Sequence, residues 1–213
     1  MDSEIDARLE AAAALRDLNH AFVGHDADAS ELRDLAADAR RRAAIIRQGE
    51  RRDRLARMRA AREAAPEVSL IEGGASSGFE DRAVAGQANP TSVDLEVRFE
   101  EGEVVADVVL HRAFEGAPGR AHGGIVAAVF DDITGFVIGF HGEPAFTGEL
   151  TVRFNAPVPV EEPLVIRARL EGKERRKLFI AAEATAGDVV VATCKATYIT
   201  VDPSIFAGAP DPR

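Results

Sequence analysis

A single cysteine, Cys194, excludes a disulfide framework and any cysteine-based zinc site. Flanked by Val191, Ala192 and Ala196, it reads as a small buried side chain and not as a nucleophile. The five histidines show no pair at metal-ligand spacing, so neither a metal nor another cofactor is expected. No long apolar run is unbroken. Residues 125–140 are interrupted by Asp131 and Asp132, too short and too charged to span a bilayer, and no integral membrane contact is expected. The first residues, Met-Asp-Ser-Glu-Ile-Asp, lack the basic and apolar regions of a secretory leader, so a soluble, cytoplasmic protein is expected.

What the chain does have is enough apolar material for one core and an uneven distribution of charge. Of its 213 residues, 46% are apolar and 29% charged, which excludes a wholly disordered or fibrous chain and suits one compact domain with an appendage. Residues 1–65 hold 13 arginines, no lysine and 13 acidic residues, so the whole net charge of −10 lies in the remainder. Such an acidic body repels a phosphate backbone, and no nucleic-acid partner is expected. Between Arg40 and Arg62 ten arginines face only Glu50 and Asp53, a run best read as the solvated face of a helix.

The pattern divides the chain into a helical extension (1–65), a linker (66–90), a main domain (91–203) and a tail (204–213). Ser3 and Asp6 form a capping-box pair ahead of Ile5, Leu9, Ala12, Leu15, Leu18 and Phe22, which recur at helical spacing up to a stop at Gly24. Ser30 is the expected cap of a second helix carrying Leu32, Leu35, Ala36, Ala39, Ala43 and Ile46 on one face. A weaker segment with Leu55 and Met58 follows Gly49. These narrow apolar stripes predict helices that lean on the main domain or on another subunit. Glycines, prolines and serines from Pro66 to Pro90, including Ser76 and Ser77, mark the linker.

From Thr91 the period changes to two. Two strands around a Glu101-Gly102-Glu103 turn are followed by an apolar helix over 123–140 and four strands, 148–155, 164–171, 177–185 and 189–201. Short turns between strands predict an antiparallel sheet, and a helix apolar nearly all round has to be enclosed by it. The fold class is therefore α+β, a curved antiparallel sheet wrapped round one central helix, with an N-terminal helical extension.

The chemistry is concentrated in Gly116-Ala-Pro-Gly-Arg-Ala-His122-Gly123-Gly124, running into Asp131-Asp132-Ile-Thr134-Gly135. Glycines at a helix start let a ligand approach free N–H groups that favour negative charge, the equipment of an oxyanion hole. Two carboxylates inside an apolar helix are either functional or hydrogen-bonded at a polar edge, and the local pattern leaves both readings open. Helix geometry separates them. Asp131 returns to the face of Gly124 after seven residues, whereas Asp132 lies about 100° further round. The rise from the glycines to Asp131 is roughly 10–12 Å, too far for one chain to bring both to a single carbonyl. Two helices paired about a two-fold axis can set Gly123 of one subunit opposite Asp131 of the other.

Strand–strand–helix–four-strand order with His-Gly-Gly-x6-Asp resembles the hotdog-fold acyl-CoA thioesterases, in particular the branch with the phenylacetate-pathway thioesterases and the human thioesterase-superfamily members. Thr147-Gly-Glu-Leu-Thr-Val-Arg-Phe-Asn-Ala-Pro157 and the strand 189–199 agree with it. The resemblance covers about residues 91–201 and leaves out the N-terminal third. It implies a hydrolase with its active site at a homodimer interface, as a dimer or a dimer of dimers, acting on acyl-CoA without a cofactor. Gly123, helped by Gly124, would polarise the thioester carbonyl. Asp131 would act as general base or as nucleophile, Thr147 would orient the water or Asp131, and His122 would position the thioester. Asp132 is grouped with the substrate-binding residues, as are Arg175, Arg176 and Lys177, which with Lys173 form a basic hairpin suited to coenzyme A phosphates. Some relatives carry an asparagine shortly before His-Gly-Gly; this chain has Glu115-Gly-Ala-Pro-Gly119 there. Two other readings are a non-catalytic acyl-CoA sensor or scaffold and a hotdog dehydratase or hydratase. Asp131 and Thr147 speak against the first, and the lack of a His-Phe-Pro-Gly-like segment against the second.

Overall fold

A computed structural model describes residues 3–53, 56, 57, 60, 80–93 and 95–202. The expected segment around Leu55 and Met58, most of the linker with Ser76 and Ser77, and the tail lie outside the described residues.

Helix α1 (Glu4–Gly24) starts where expected. The Ser3 hydroxyl accepts from the Asp6 N–H and the Asp6 carboxylate accepts from the Ser3 N–H, which satisfies two orphan donors. Helix α2 (Ala29–Ile46) starts one residue before the expected cap. Asp28 stands at the N-cap with no side-chain bond, and Ser30 is already inside the first turn. The apolar stripes of both helices are only partly covered: Leu18 is 42% exposed and Ile46 77%, and α2 buries no residue.

Six strands form one antiparallel sheet in the order β1-β2-β4-β5-β6-β3. They are β1 (Leu95–Glu100), β2 (Glu103–Val109), β3 (Ala145–Phe154), β4 (Pro163–Glu174), β5 (Lys177–Ala186) and β6 (Val189–Thr200). Helix α3 (Gly123–His141) crosses the concave face and touches β2 through β6. This is the hotdog arrangement the pattern implied, with strand ends moved by one to three residues. Alternation explains the sheet. Leu164, Ile166 and Ala168 of β4 and Leu178, Ile180, Ala182 and Ala184 of β5 point at the helix, while Arg167 and Arg169 pair with Glu103 on the outer face.

By length and composition α3, with a mean hydropathy of 1.6, is long and apolar enough to cross a membrane. Here the sheet takes the place of lipid: Val126, Val129, Phe130, Ile133, Thr134, Phe136, Val137 and Ile138 are buried against it. His141 closes the last turn, and Gly142 in the left-handed region (φ 68°) ends the helix by donating to the Gly139 carbonyl.

Residues 80–93 at the end of the expected linker are a wound, packed segment. Ala88 and Val93 are buried, the Val93 N–H bonds the Val84 carbonyl at 2.8 Å, and Val84 and Ala85 lie on the core. The Gly/Pro signal was sound for turns but carried no information about burial.

Ile133 is fully enclosed between helix and sheet. Ile133→Ala is expected to cost about 2–5 kcal/mol in urea unfolding, because the rigid sheet cannot collapse into the void.

Candidate active site

The loop before α3 aims the helix N-terminus. A short 3-10 turn (Arg112–Phe114) leads into it, and the Phe114 carbonyl accepts the His122 N–H at 2.8 Å. Glu115 staples the loop by accepting from the Gly119 N–H and, at 3.2 Å, from Arg112 Nη1. These bonds, the Gly119 one first, hold its carboxyl below the usual range. Glu115 thus shapes the loop ahead of the helix.

His122 is the N-cap of α3, and its Nδ1 accepts the Gly124 N–H at 3.0 Å. A side chain at Gly124 would start 3.1 Å from this ring and would have to push the ring aside by a few tenths of an ångström. The Gly124 donor is therefore already engaged. The Gly123 N–H, at the first helical position, has no acceptor within the helix and stands at its positive end. The ring of Phe154 lies beside it, 3.2 Å from where a Gly123 side chain would begin.

Asp131 lies two turns further along, half-buried, and Thr147 Oγ1 donates to its Oδ1 at 2.8 Å. The two residues expected to work together are in contact within one chain. A register shift in β3 makes this possible. Leu150 and Val152 pack on the core and Phe154 reaches Gly123, so the even-numbered residues face the helix. Strict alternation would turn Thr147 outward. The bulge between Thr147 and Glu149 inserts one residue and turns it back. Gly148 is that extra residue, and a Cβ there would meet Ile199 Cγ1 at 3.0 Å and the Thr197 carbonyl at 3.3 Å.

Tyr198 was not anticipated. It is buried on β6 opposite Thr147, and its hydroxyl donates to the main-chain carbonyl of Asp131 at 2.9 Å. It also meets Thr134 Oγ1 at 2.9 Å, and Thr134 in turn bonds the Phe130 carbonyl at 2.8 Å. The turn that carries Asp131 is thereby tied to the sheet. The available signal was a lone tyrosine at an inward position of the last strand.

The remaining expected residues lie elsewhere. Asp132 points to another face of α3, where its Oδ2 accepts the Ala85 N–H at 2.8 Å. Arg175, Arg176 and Lys177 are exposed on the β4–β5 hairpin. Lys173 bonds Glu143 at 2.6 Å, which places that hairpin by the C-terminal end of α3, and Arg176 donates to the Thr200 carbonyl at 2.9 Å. Within one chain the basic hairpin and Gly123 are at opposite ends of the helix. Cys194 is buried, and burial first, then the charge of Asp131, pushes its thiol up to about 12. It is a neutral packing group.

Comparison with known proteins bears on the fold and the family. Residues 118–193 match the family model of the thioesterase superfamily. Acyl-coenzyme A thioesterase THEM4 of Mus musculus is 32% identical over 91 residues, 42% of this chain and 39% of that protein. Acyl-coenzyme A thioesterase THEM5 of Homo sapiens is 36% identical over 74 residues, 35% of this chain and 30% of that protein. The matched span is thus less than half the length of these curated relatives. A solved thioesterase superfamily protein shares the fold with a TM-score of 0.70 at 22% identity, over 90% of this chain and 94% of its own. That overlap extends beyond the span, about residues 91–201, of the sequence resemblance.

Tyr198 is the only tyrosine and there is no tryptophan, so tyrosine spectroscopy reports on the Asp131 turn alone. Burial, reinforced by the charges of Asp131 and Asp132, raises its hydroxyl above the ordinary 10 against the opposing hydroxyl bonds. The stability this contributes is complete below pH 10 and is lost as pH rises through the folded-state value. An absorbance titration should show phenolate forming above 10 in the folded chain and at the ordinary value in urea.

Proposed function

We propose that this chain, whose residues 118–193 match the family model of the thioesterase superfamily, hydrolyses acyl-CoA thioesters at sites shared between two copies. The observation that carries the reading is Asp131: a half-buried carboxylate on a largely apolar helix, held by Thr147 at 2.8 Å. The curated relatives, acyl-coenzyme A thioesterases by name, supply the substrate class.

In this reading the thioester carbonyl oxygen sits on the Gly123 N–H, where the helix dipole favours the charge that develops on attack. Water adds to the carbonyl carbon while Asp131 takes its proton. The tetrahedral adduct then collapses, the C–S bond breaks, and the departing sulfur recovers the proton as coenzyme A thiol. Alternatively the carboxylate itself adds and water opens the anhydride; a single turnover in ¹⁸O-water leaves label in Asp131 only by this route. Thr147, by occupying Oδ1, leaves Oδ2 for the reaction in either case.

Eight residues of helix separate Gly123 from Asp131, about 12 Å, so the two serve one carbonyl only when they come from different copies. Strand β3 is the sheet edge suited to such pairing, since most of its residues are exposed. Antiparallel self-pairing about an axis between Leu150 and Thr151 sets Thr147 of one copy opposite Phe154 of the other, and Phe154 lies on Gly123. The same axis carries the basic hairpin of one copy toward the substrate on its own Asp131, where Arg175, Arg176 and Lys177 would meet the phosphates of coenzyme A.

Asp131→Asn should lower kcat by about 10²–10⁴-fold with fold and mass intact, measured as thiol release from short, long and aromatic acyl-CoAs. Gly123→Pro removes the N–H at a position where helices accept proline and should be comparably inactive. Mixed in equal amounts, the two variants should recover about a quarter of the wild-type sites, because half the dimers are mixed and each holds one intact pair. No recovery would mean that each site is built from one copy. Binding of acyl-CoA without turnover by the wild type would make the protein a sensor or scaffold. Arg176→Glu should raise KM several-fold while leaving kcat in place; an unchanged KM removes the hairpin from the substrate site.

A further inference from the structure

Helix α1 is fastened to the catalytic domain by a buried guanidinium. Arg16 is 5% exposed, its Nη1 donates to the carbonyls of Gln87 at 2.8 Å and Asn89 at 3.1 Å, and its Nη2 reaches Gln87 Oε1 at 3.4 Å. A planar fork that spans several acceptors fixes orientation as well as distance. Shelter for the apolar stripe does not explain this contact, because Leu15, Leu18 and Phe22 remain 51%, 42% and 57% exposed.

The segment that Arg16 grips is wound tightly. The Ala88 N–H bonds the Glu80 carbonyl at 2.7 Å, Asn89 Nδ2 bonds the Asp81 carbonyl at 3.1 Å, and a Cβ on Gly86 would fall 2.2 Å from the Arg82 nitrogen. A coil without slack transmits a displacement instead of absorbing it. Its far side rests on α3: the Ala85 N–H donates to Asp132 Oδ2 at 2.8 Å, and the Arg82 guanidinium lies 4.4 Å from the centre of the Phe136 ring.

We propose that Arg16 is a positioning residue for the active site: by anchoring residues 80–93, whose Ala85 N–H holds Asp132, it sets the rotation of α3 and with it the aim of Asp131. The inference rests on the reading of Asp131 as the reacting carboxylate. It gives the N-terminal extension a catalytic purpose and gives Asp132 a role distinct from substrate binding. The lever is sensitive. With the carboxylate roughly 6 Å from the helix axis, a rotation of about 10° moves it about 1 Å, and misplacement on that scale costs up to about 10²-fold in rate.

The test is a double-mutant cycle on the full chain, with Arg16→Ala and Asp132→Ala made singly and together. Each single variant should lower kcat by about tenfold or more with KM within about twofold, and the double variant should be no slower than the worse single one, as for two links of one chain. Arg16→Lys, which keeps the charge and can reach one carbonyl, should fall between wild type and Arg16→Ala. It serves as the second variant if alanine prevents folding. Hydrogen exchange gives a readout that does not need turnover: in the Arg16 variants the amides of Ala85 and of residues 131–135 should exchange faster, with those of β4 and β5 unchanged. Multiplicative kcat losses, a stability loss with kcat intact, or unchanged exchange at 131–135 would each overturn the inference. If the wild type hydrolyses no thioester yet the exchange is coupled, positioning stands and the reaction assigned to the site fails.

Discussion

Helix α3 is apolar over most of its circumference, and keeping water from it is the constraint on which the rest of the structure depends. Five strands touch it, and every large residue on its inner side, from Val126 to Ile138, is buried against them. Each fully buried aliphatic or aromatic side chain there contributes about 1.5–3 kcal/mol relative to exposure. An antiparallel sheet has to curve to reach round a helix, which makes β3 the last strand on one side and leaves its outer edge unpaired among the described residues. The edge that would carry a second copy is thus a consequence of enclosing the helix.

The same constraint makes the two adjacent carboxylates informative. Neither can be left in an apolar groove without partners, and each meets a different solution. Asp132 accepts a main-chain N–H from residues 80–93, a contact that locks two elements together. Among the described residues the Asp131 carboxylate accepts only the Thr147 hydroxyl, while its main-chain carbonyl is taken by Tyr198. The backbone of that turn is tied to the sheet through Tyr198 and Thr134, and the proposed reaction falls to the carboxylate oxygen that Thr147 does not take. One residue round the helix separates an acid that joins two elements from the acid proposed to react.

The fold was legible in the sequence because period-two strands, short turns and one long apolar helix leave few ways to bury that helix. The glycine and histidine at the helix start, and the match in angle between Gly124 and Asp131, were legible for the same geometric reason. What alternation could not give was the bulge at Gly148: counted strictly, Thr147 belongs with Thr151 and Arg153 on the outer face, and only pairing with β6 shows the extra residue. The burial of residues 80–93 was hidden by their turn-forming composition, since glycine and asparagine signal backbone shape and say nothing about what packs on it. Nothing singled out Arg16, because a helical pattern does not distinguish an arginine in solvent from one driven into a neighbouring coil.

The helix N-terminus follows the same logic of engaging all donors but one. An Nδ1 that accepts the Gly124 N–H fixes the neutral tautomer of His122, with the hydrogen on Nε2. The next donor in the row is consumed by the cap, and the N–H of His122 itself goes to Phe114. Gly123 is left as the one amide of this turn with no acceptor among the described residues, at the positive end of α3 beside a phenylalanine from the edge strand. A carbonyl oxygen arriving there meets a single, preset donor, and the carboxylate that would act on its carbon is two helical turns away in the same chain. That mismatch of about 12 Å is built into the helix rise and no side-chain rotation closes it. Since α3 fixes both groups rigidly, the shortest route to a complete site is a second helix running the other way.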